Sequence, residues 1–236
     1  MVQNKGIVVV DFSGTLVKPF VAEEANLNRY KVLGLTPPSE QDRKRHHGTK
    51  EHYDPLRARI GEIYGIRSDL MFRFLQSHGF EIELNGTEYE TMMMTDRFRD
   101  EAFKIAKERG LNIFSDGMID ALQTVQRRGY KLAIVSGMRL DIIAGLLGIT
   151  LCPLRFDFIY GQDPILSRDD NKLLTQELAK QGTIEYIIGD KMADLEPATM
   201  VGAKSIFFKG GHPTGGEEQF ADHTVARAKE LEDIIK

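Results

Sequence analysis

The sequence predicts an α/β fold: a Rossmann-like, three-layer core built on a parallel sheet, with an all-helical domain inserted after its first strand. Two observations carry this. From about residue 110 onward, short continuous apolar strands alternate with helix patterns, as in a parallel sheet covered by helices on both faces. A strand of the same kind, Ile7-Val8-Val9-Val10, opens the chain, but residues 19–107 separate it from the rest and show helical spacing without strand alternation.

The elements follow in order. Ser115 is placed to cap a helix with Met118, Leu122 and Val125 on its apolar face, and Gly129 stops it. The strand Leu132-Ala133-Ile134-Val135 comes next, then a helix carrying Leu140, Ile143, Ala144 and Leu147 that ends at Gly148. Residues 156–160 read as a strand, and a helix through Leu173, Leu174 and Leu178 runs to Gly182. The strand 184–188, one helix leading to Gly202, the strand 205–208 and a final helix over 226–235 complete the series. Within the insertion, residues 22–33, 57–63, 70–76 and 98–106 have helix-type spacing, which suggests a cap domain.

Composition narrows the function. With 42% hydrophobic and 28% charged residues, a 236-residue chain buries an ordinary core and needs no disulfide or structural metal to fold. The net charge of −4 gives no overall positive field for non-specific nucleic-acid binding. Cys152 is the single cysteine, which excludes an internal disulfide and a multi-cysteine metal site. It lies in the apolar stretch 149–152, where a structural role is expected. No signal peptide or membrane-length apolar run is apparent, so the expected location is cytoplasmic, without a membrane or nucleic-acid partner and as a monomer or homodimer.

Ligands of open parallel sheets bind beyond the carboxyl ends of the strands, so the residues there are the candidates. Asp11 ends the first strand and leads into Phe12-Ser13-Gly14-Thr15, a turn that presents its carboxylate for attack or metal binding. Ser136-Gly137 follows the second strand, where a hydroxyl and free amides can hold phosphate oxygens. Lys172, in Asp169-Asp170-Asn171-Lys172, offers an ammonium for a phosphate or a carboxylate. Asp190 ends the strand 184–188 after Gly189, and Asp194 lies four residues on, on the same face of an opening helix. Oxygen donors of this kind suit magnesium. Each feature alone is also what a turn, a helix cap or a solvated lysine looks like; their order and spacing distinguish them.

In that order the four resemble the motifs of the haloacid dehalogenase superfamily of hydrolases: a strand ending in Asp-x-Asp-Gly-Thr, a strand ending in Ser or Thr, a Lys, and a strand followed by Gly-Asp-x-x-x-Asp. The resemblance spans the chain, and the helical insertion between the first two motifs matches members with a cap of the first type, such as phosphoglycolate phosphatases and phosphonatases. It implies a catalytic core over 1–18 and 108–236 and a cap over 19–107. It further implies that Asp11 is the nucleophile and a metal ligand, that Ser13 offers magnesium its backbone carbonyl, and that Gly14 and Thr15 shape the turn. Ser136, the Gly137 amide and Lys172 would hold the phosphoryl group, and Asp190 would bind Mg2+ with Asp194 as ligand or through water. The implied reaction is Mg2+-dependent hydrolysis of a small phosphorylated metabolite through an aspartyl-phosphate.

One position departs from the pattern. Phosphatases of this superfamily usually carry a second Asp two residues after the nucleophile as acid and base, and here that residue is Ser13. A serine hydroxyl is no acid near neutral pH, and loss of such a group costs roughly 100- to 10,000-fold. Two alternatives therefore stand beside the phosphatase: C–P bond cleavage of the phosphonoacetaldehyde-hydrolase kind through a cap lysine, Lys50 or Lys31, and a phosphate-binding protein without turnover. Haloacid dehalogenases themselves do without metal and lack the Gly-Asp motif, so Asp190 argues against that branch. The basic run 43–50, with His46, His47 and Lys50, resembles the cap loop that faces the active site and would contact substrate. Met92-Met93-Met94 reads as core filling.

Overall fold

The computed structural model describes residues 5–19, 21, 24, 36, 39, 100–162, 171–211, 213 and 215–236. The chain divides into two compact units, Met1–Val21 with Ala106–Lys236, and Ala22–Ile105. Nearly all of the second unit lies outside the described residues, and with it the helices expected over 22–33, 57–63 and 70–76, Lys31, the basic run with Lys50, and Met92-Met93-Met94. Of the helix expected over 98–106, the described part is helical, over 100–109.

The first unit is built on a six-stranded sheet. Its strands are β1 (Ile7–Val10), β2 (Lys131–Arg139), β3 (Phe158–Gln162), β4 (Ile184–Gly189), β5 (Lys204–Phe208) and β6 (His223–Val225). They lie in the order β3-β2-β1-β4-β5-β6, and every pairing is parallel. This is the doubly wound order of a Rossmann-like sheet, the fold class that the sequence predicts. The chain winds outward from β1 through β2 to β3, then crosses back to place β4 on the other side of β1. The crevice beyond the carboxyl ends of β1 and β4 is the topological switch point, where such sheets bind ligands.

Among the described residues after 110, the α-helices are α1 (Met118–Arg127), α2 (Leu140–Ile149), α3 (Asn171–Ala179), α4 (Met192–Leu195), α5 (Pro197–Val201) and α6 (Leu231–Ile234). Because side chains alternate along a strand, β1 feeds both layers. Ile7 and Val9 join Ala133, Val135, Ile184 and Ile187 in a buried cluster under Leu174 and Leu178 of α3 and Ala198 of α5. Val8 and Val10 are equally buried. In α1, Met118, Ala121, Leu122 and Val125 are buried at the i, i+3, i+4, i+7 spacing of one helix face, and the helix packs on β2.

Several expectations are corrected in detail. Ser115 does not cap α1 with its side chain: the N-cap is Gly117, at φ 73°, and the buried Ser115 hydroxyl has no hydrogen-bond partner among the described residues. The cap is made by backbone, Met118 N donating to Ser115 O at 3.0 Å. The core face of α2 is Ile142, Ile143 and Leu146, whereas Leu140 is exposed. The single helix expected before Gly202 is two, α4 and α5, since Pro197 has no N–H to continue the first. The final helix is shorter, a 3-10 turn over Ala228–Glu230 followed by α6. Strand β6 was not foreseen; its three residues carry too little pattern to read.

Candidate active site

Asp11 follows β1 directly, and its amide donates to Ile188 O at 2.9 Å, so the residue still follows the line of β4. The chain then turns back at once. Leu16 N donates to Asp11 O (3.1 Å), Val17 N to Phe12 O (2.8 Å) and Gly14 N to Val17 O (2.8 Å). Gly14 has φ +98°, and a Cβ there would lie 2.4 Å from Asp190 Oδ2. Both backbone conformation and space therefore demand glycine. Thr15 is fully buried, and its hydroxyl approaches Asp190 Oδ1 at 3.4 Å. The turn of the first motif thus packs on the carboxylate of the last. Ser13 is half-buried in this turn and bridges to Val17, which bridges in turn to Phe114.

Asp190, immediately after β4, is fully buried. Asp194 lies in the first turn of α4, where Lys191 N donates to its Oδ2 at 3.1 Å. A Cβ on Gly189 would fall 2.3 Å from Asp194 Cβ, so glycine is what lets α4 fold back over the strand end. Asp11, Asp190 and Asp194 each bring one carboxylate oxygen to within 4.8 Å of the others. Three sequence-predicted carboxylates from two strand ends and one helix therefore converge.

Their electrostatics follow. Burial, and then the charges of Asp194 and Asp190, push the Asp11 carboxyl well above its ordinary range; hydrogen bonds from the Ser136 hydroxyl and the Phe12 amide oppose this. Asp194 is pushed up to about 7, by burial first and by Asp190 second. Like charges desolvated together disfavour ionisation, and a cation among them reverses that balance. The donor set, carboxylate oxygen throughout, fits a hard divalent ion such as Mg2+ and no soft metal.

The remaining predicted residues are placed as follows. Ser136 is buried beside Asp11, but β2 does not end there: it runs three residues further, with a register shift before Arg139 pairs Gln162. Gly161 permits this, since a Cβ on it would meet Met138 O at 2.6 Å. Gly137 is exposed within this extension, so its amide belongs to a strand and not to a helix start. Met138 N, 3.4 Å from Ser136 Oγ, is the amide that turns toward the serine. The Lys172 ammonium pairs with Glu196 at 2.7 Å, both side chains partly exposed. Lys50 lies outside the described residues.

Two residues went unnoticed in the sequence. Asn171, the first residue of α3, donates from Nδ2 to Asp194 Oδ1 at 2.8 Å. It lines a cavity of ≈ 10 Å³ together with Asp11, Asp194, Thr175 and the strand residues Val9, Val135, Ile187 and Ile188. Gly211, in the loop after β5, packs so closely that a Cβ would lie 2.3 Å from Asp190 Oδ2. The pair Gly210-Gly211 beyond a strand end was a readable sign of close backbone approach; Asn171 was masked by the charged run around it.

The sequence model of haloacid dehalogenase-like hydrolases matches residues 45–208. The match covers the second, third and fourth motifs and begins after Asp11, whose place in the site rests on the geometry above. No curated protein matches the chain. Among solved structures, a predicted phosphoglycolate phosphatase from Haemophilus somnus is similar at 16% identity, with 99% of each chain covered and a TM-score of 0.65. The β-phosphoglucomutase of Clostridium difficile is similar at 14% identity over 95% of this chain and 92% of its own, TM-score 0.62. YfnB of Bacillus subtilis, bound to magnesium, is similar at 15% identity over 99% of each chain, TM-score 0.61. At these identities the likeness is one of fold.

Proposed function

Since the chain belongs to the haloacid dehalogenase-like hydrolases, whose model covers more than half of it, we propose that it is a phosphatase in which Asp11 takes the phosphoryl group of a small phosphorylated metabolite. The observation that carries this reading is the convergence of Asp11, Asp190 and Asp194 at the switch point of the sheet. Asp11 stands at the strand tip, Asp190 and Asp194 face it, and Ser13 contributes through the turn. Bound Mg2+ would offset the carboxylate charge and the charge on the transferring group.

Asp11 attacks phosphorus, its oxygen forms the new P–O bond, and the alcohol oxygen departs. Ser136, hydrogen-bonded to Asp11, keeps the carboxylate in line. Ser136, the strand extension beyond it and Lys172 would hold the phosphate oxygens. Water then cleaves the aspartyl-phosphate and regenerates the carboxylate. Residue 13 brings no carboxyl to protonate the leaving group, so turnover depends on the leaving group itself. Aryl and acyl phosphates should be turned over faster than alkyl phosphates, by roughly 100-fold or more, and Ser13→Asp should narrow that gap.

The test is a screen of phosphorylated metabolites and aryl phosphates, with magnesium and with chelator, read as released phosphate. Release that needs magnesium supports the reading; release unchanged by chelator, or none from any phosphate, sinks it. The magnesium-bound relative of the same fold makes Mg2+ the first ion to try.

A further inference from the structure

The Asp194 carboxylate is gripped at both oxygens. The Lys191 amide holds Oδ2 from three residues away, a contact that comes with the start of α4. Asn171 holds Oδ1 from a different helix, 23 residues distant in the chain. The Asn171 end of α3 is itself pinned, because the buried Thr175 hydroxyl donates to Asn171 O at 2.6 Å. The other amide atom, Asn171 Oδ1, is buried and accepts no hydrogen bond among the described residues. A buried acceptor left in that state destabilises the fold, so stability alone does not account for an amide here: leucine has a similar volume and no orphaned oxygen. What the amide supplies is a neutral donor. An ammonium in its place would fix Asp194 and also compete with a cation for its charge; an amide fixes it and leaves the charge intact.

We propose that Asn171 is the positioning residue of the carboxylate cluster, orienting Asp194 for a divalent cation bound with Asp11 and Asp190. This rests on the cation reading above. Asn171 touches neither substrate nor reacting atoms in this account; it acts through Asp194.

The experiment uses the whole chain and two measurements. Calorimetric titration with Mg2+ is made on wild type and Asn171→Leu. Asn171→Ala, which adds no bulk, serves in its place if the leucine variant does not fold. Urea unfolding in chelator is made on wild type, the Asn171 variant, Asp194→Asn and the double variant. The expected results are Mg2+ binding weakened about 10- to 100-fold by the Asn171 change, and midpoint shifts in chelator that do not add between positions 171 and 194. Wild-type affinity in the Asn171 variant overturns the proposal, as do additive shifts. A residue that served only the fold would lower the urea midpoint and leave Mg2+ affinity where it was. Failure of the wild type itself to bind Mg2+ is a separate outcome, which removes the cation reading and the role of Asn171 with it.

Discussion

The two ends of the sheet treat charge in opposite ways. At the carboxyl ends of β1 and β4, three carboxylates converge, Asp11 and Asp190 buried and Asp194 partly so, and burial with like charge raises the proton affinity of Asp11 and Asp194. At the amino ends, opposite and neutral partners are matched. Gly6 N donates to Glu185 Oε1 at 3.0 Å, and Tyr130 OH donates to Lys236 O at 3.0 Å. Lys5 Nζ reaches the same carbonyl at 2.8 Å and lies 4.9 Å above the Tyr130 ring. Arg128 donates to the carbonyls of Glu232 and Ile235. Burial first and Glu185 second push the Tyr130 hydroxyl up to about 12, so it remains a donor at any working pH. One end is closed by satisfied bonds and serves stability. The other brings like charges together, which costs stability and fits the cation and phosphoryl binding proposed above.

The contrast is broken most sharply at Asp11. Asp11→Asn should take turnover to background while the protein unfolds at the same or a higher urea concentration in chelator, because a buried charge and two repulsions go with it. Substantial residual phosphate release would remove Asp11 from the chemistry.

The second effect is in pH. Asp194 titrates near 7 in the folded chain and near the ordinary carboxylate value when unfolded, so between those values the native state binds more protons. Metal-free stability should therefore fall as pH rises from about 4 to 7, by on the order of a few kcal/mol, and the raised Asp11 carboxyl adds to the fall. Asp194→Asn should flatten the slope in chelator, and saturating Mg2+ should do the same. Urea midpoints across that pH range decide; a wild-type curve that rises with pH contradicts the account.

Gly211→Ala is the third test. It drives a methyl into Asp190, and overpacking of this kind costs about 1–3 kcal/mol. Stability and Mg2+ affinity should drop together. A neutral result would mean that the loop after β5 can move off Asp190.

The smallest effect belongs to the amino end. Tyr130→Phe deletes the hydroxyl that bonds Lys236 O and approaches Glu185 at 3.4 Å, and should cost about 0.5–1.5 kcal/mol. Its kcat should be that of the wild type, which a role for this end in catalysis would contradict.

How far these features were legible depends on their range along the chain. Strands ending in Asp11 and Asp190 are visible because a run of apolar residues stops at a carboxylate, a pattern contained in five or six neighbours. Gly14 was legible as a turn residue; that it abuts the carboxylate of another motif, Asp190, was not. Ser136 was placed correctly beside Asp11 and misjudged as a strand end, because the extension of β2 is enforced by pairing with Gln162 on β3. In Asp169-Asp170-Asn171-Lys172 the charged lysine drew attention, while the neutral asparagine beside it makes the contact with Asp194.

By itself, then, the sequence determined the layered α/β class, the strand tips and the three carboxylates, since each is written in local periodicity and in the residue that ends it. Tertiary structure alone decided the strand order that puts β4 beside β1, the seat of Gly211 on Asp190 and the reach of Asn171 to Asp194. Those contacts join residues about 20 to 180 positions apart. They exist only because parallel crossovers return distant strand ends to a single crevice, and no local pattern encodes which neighbours meet there.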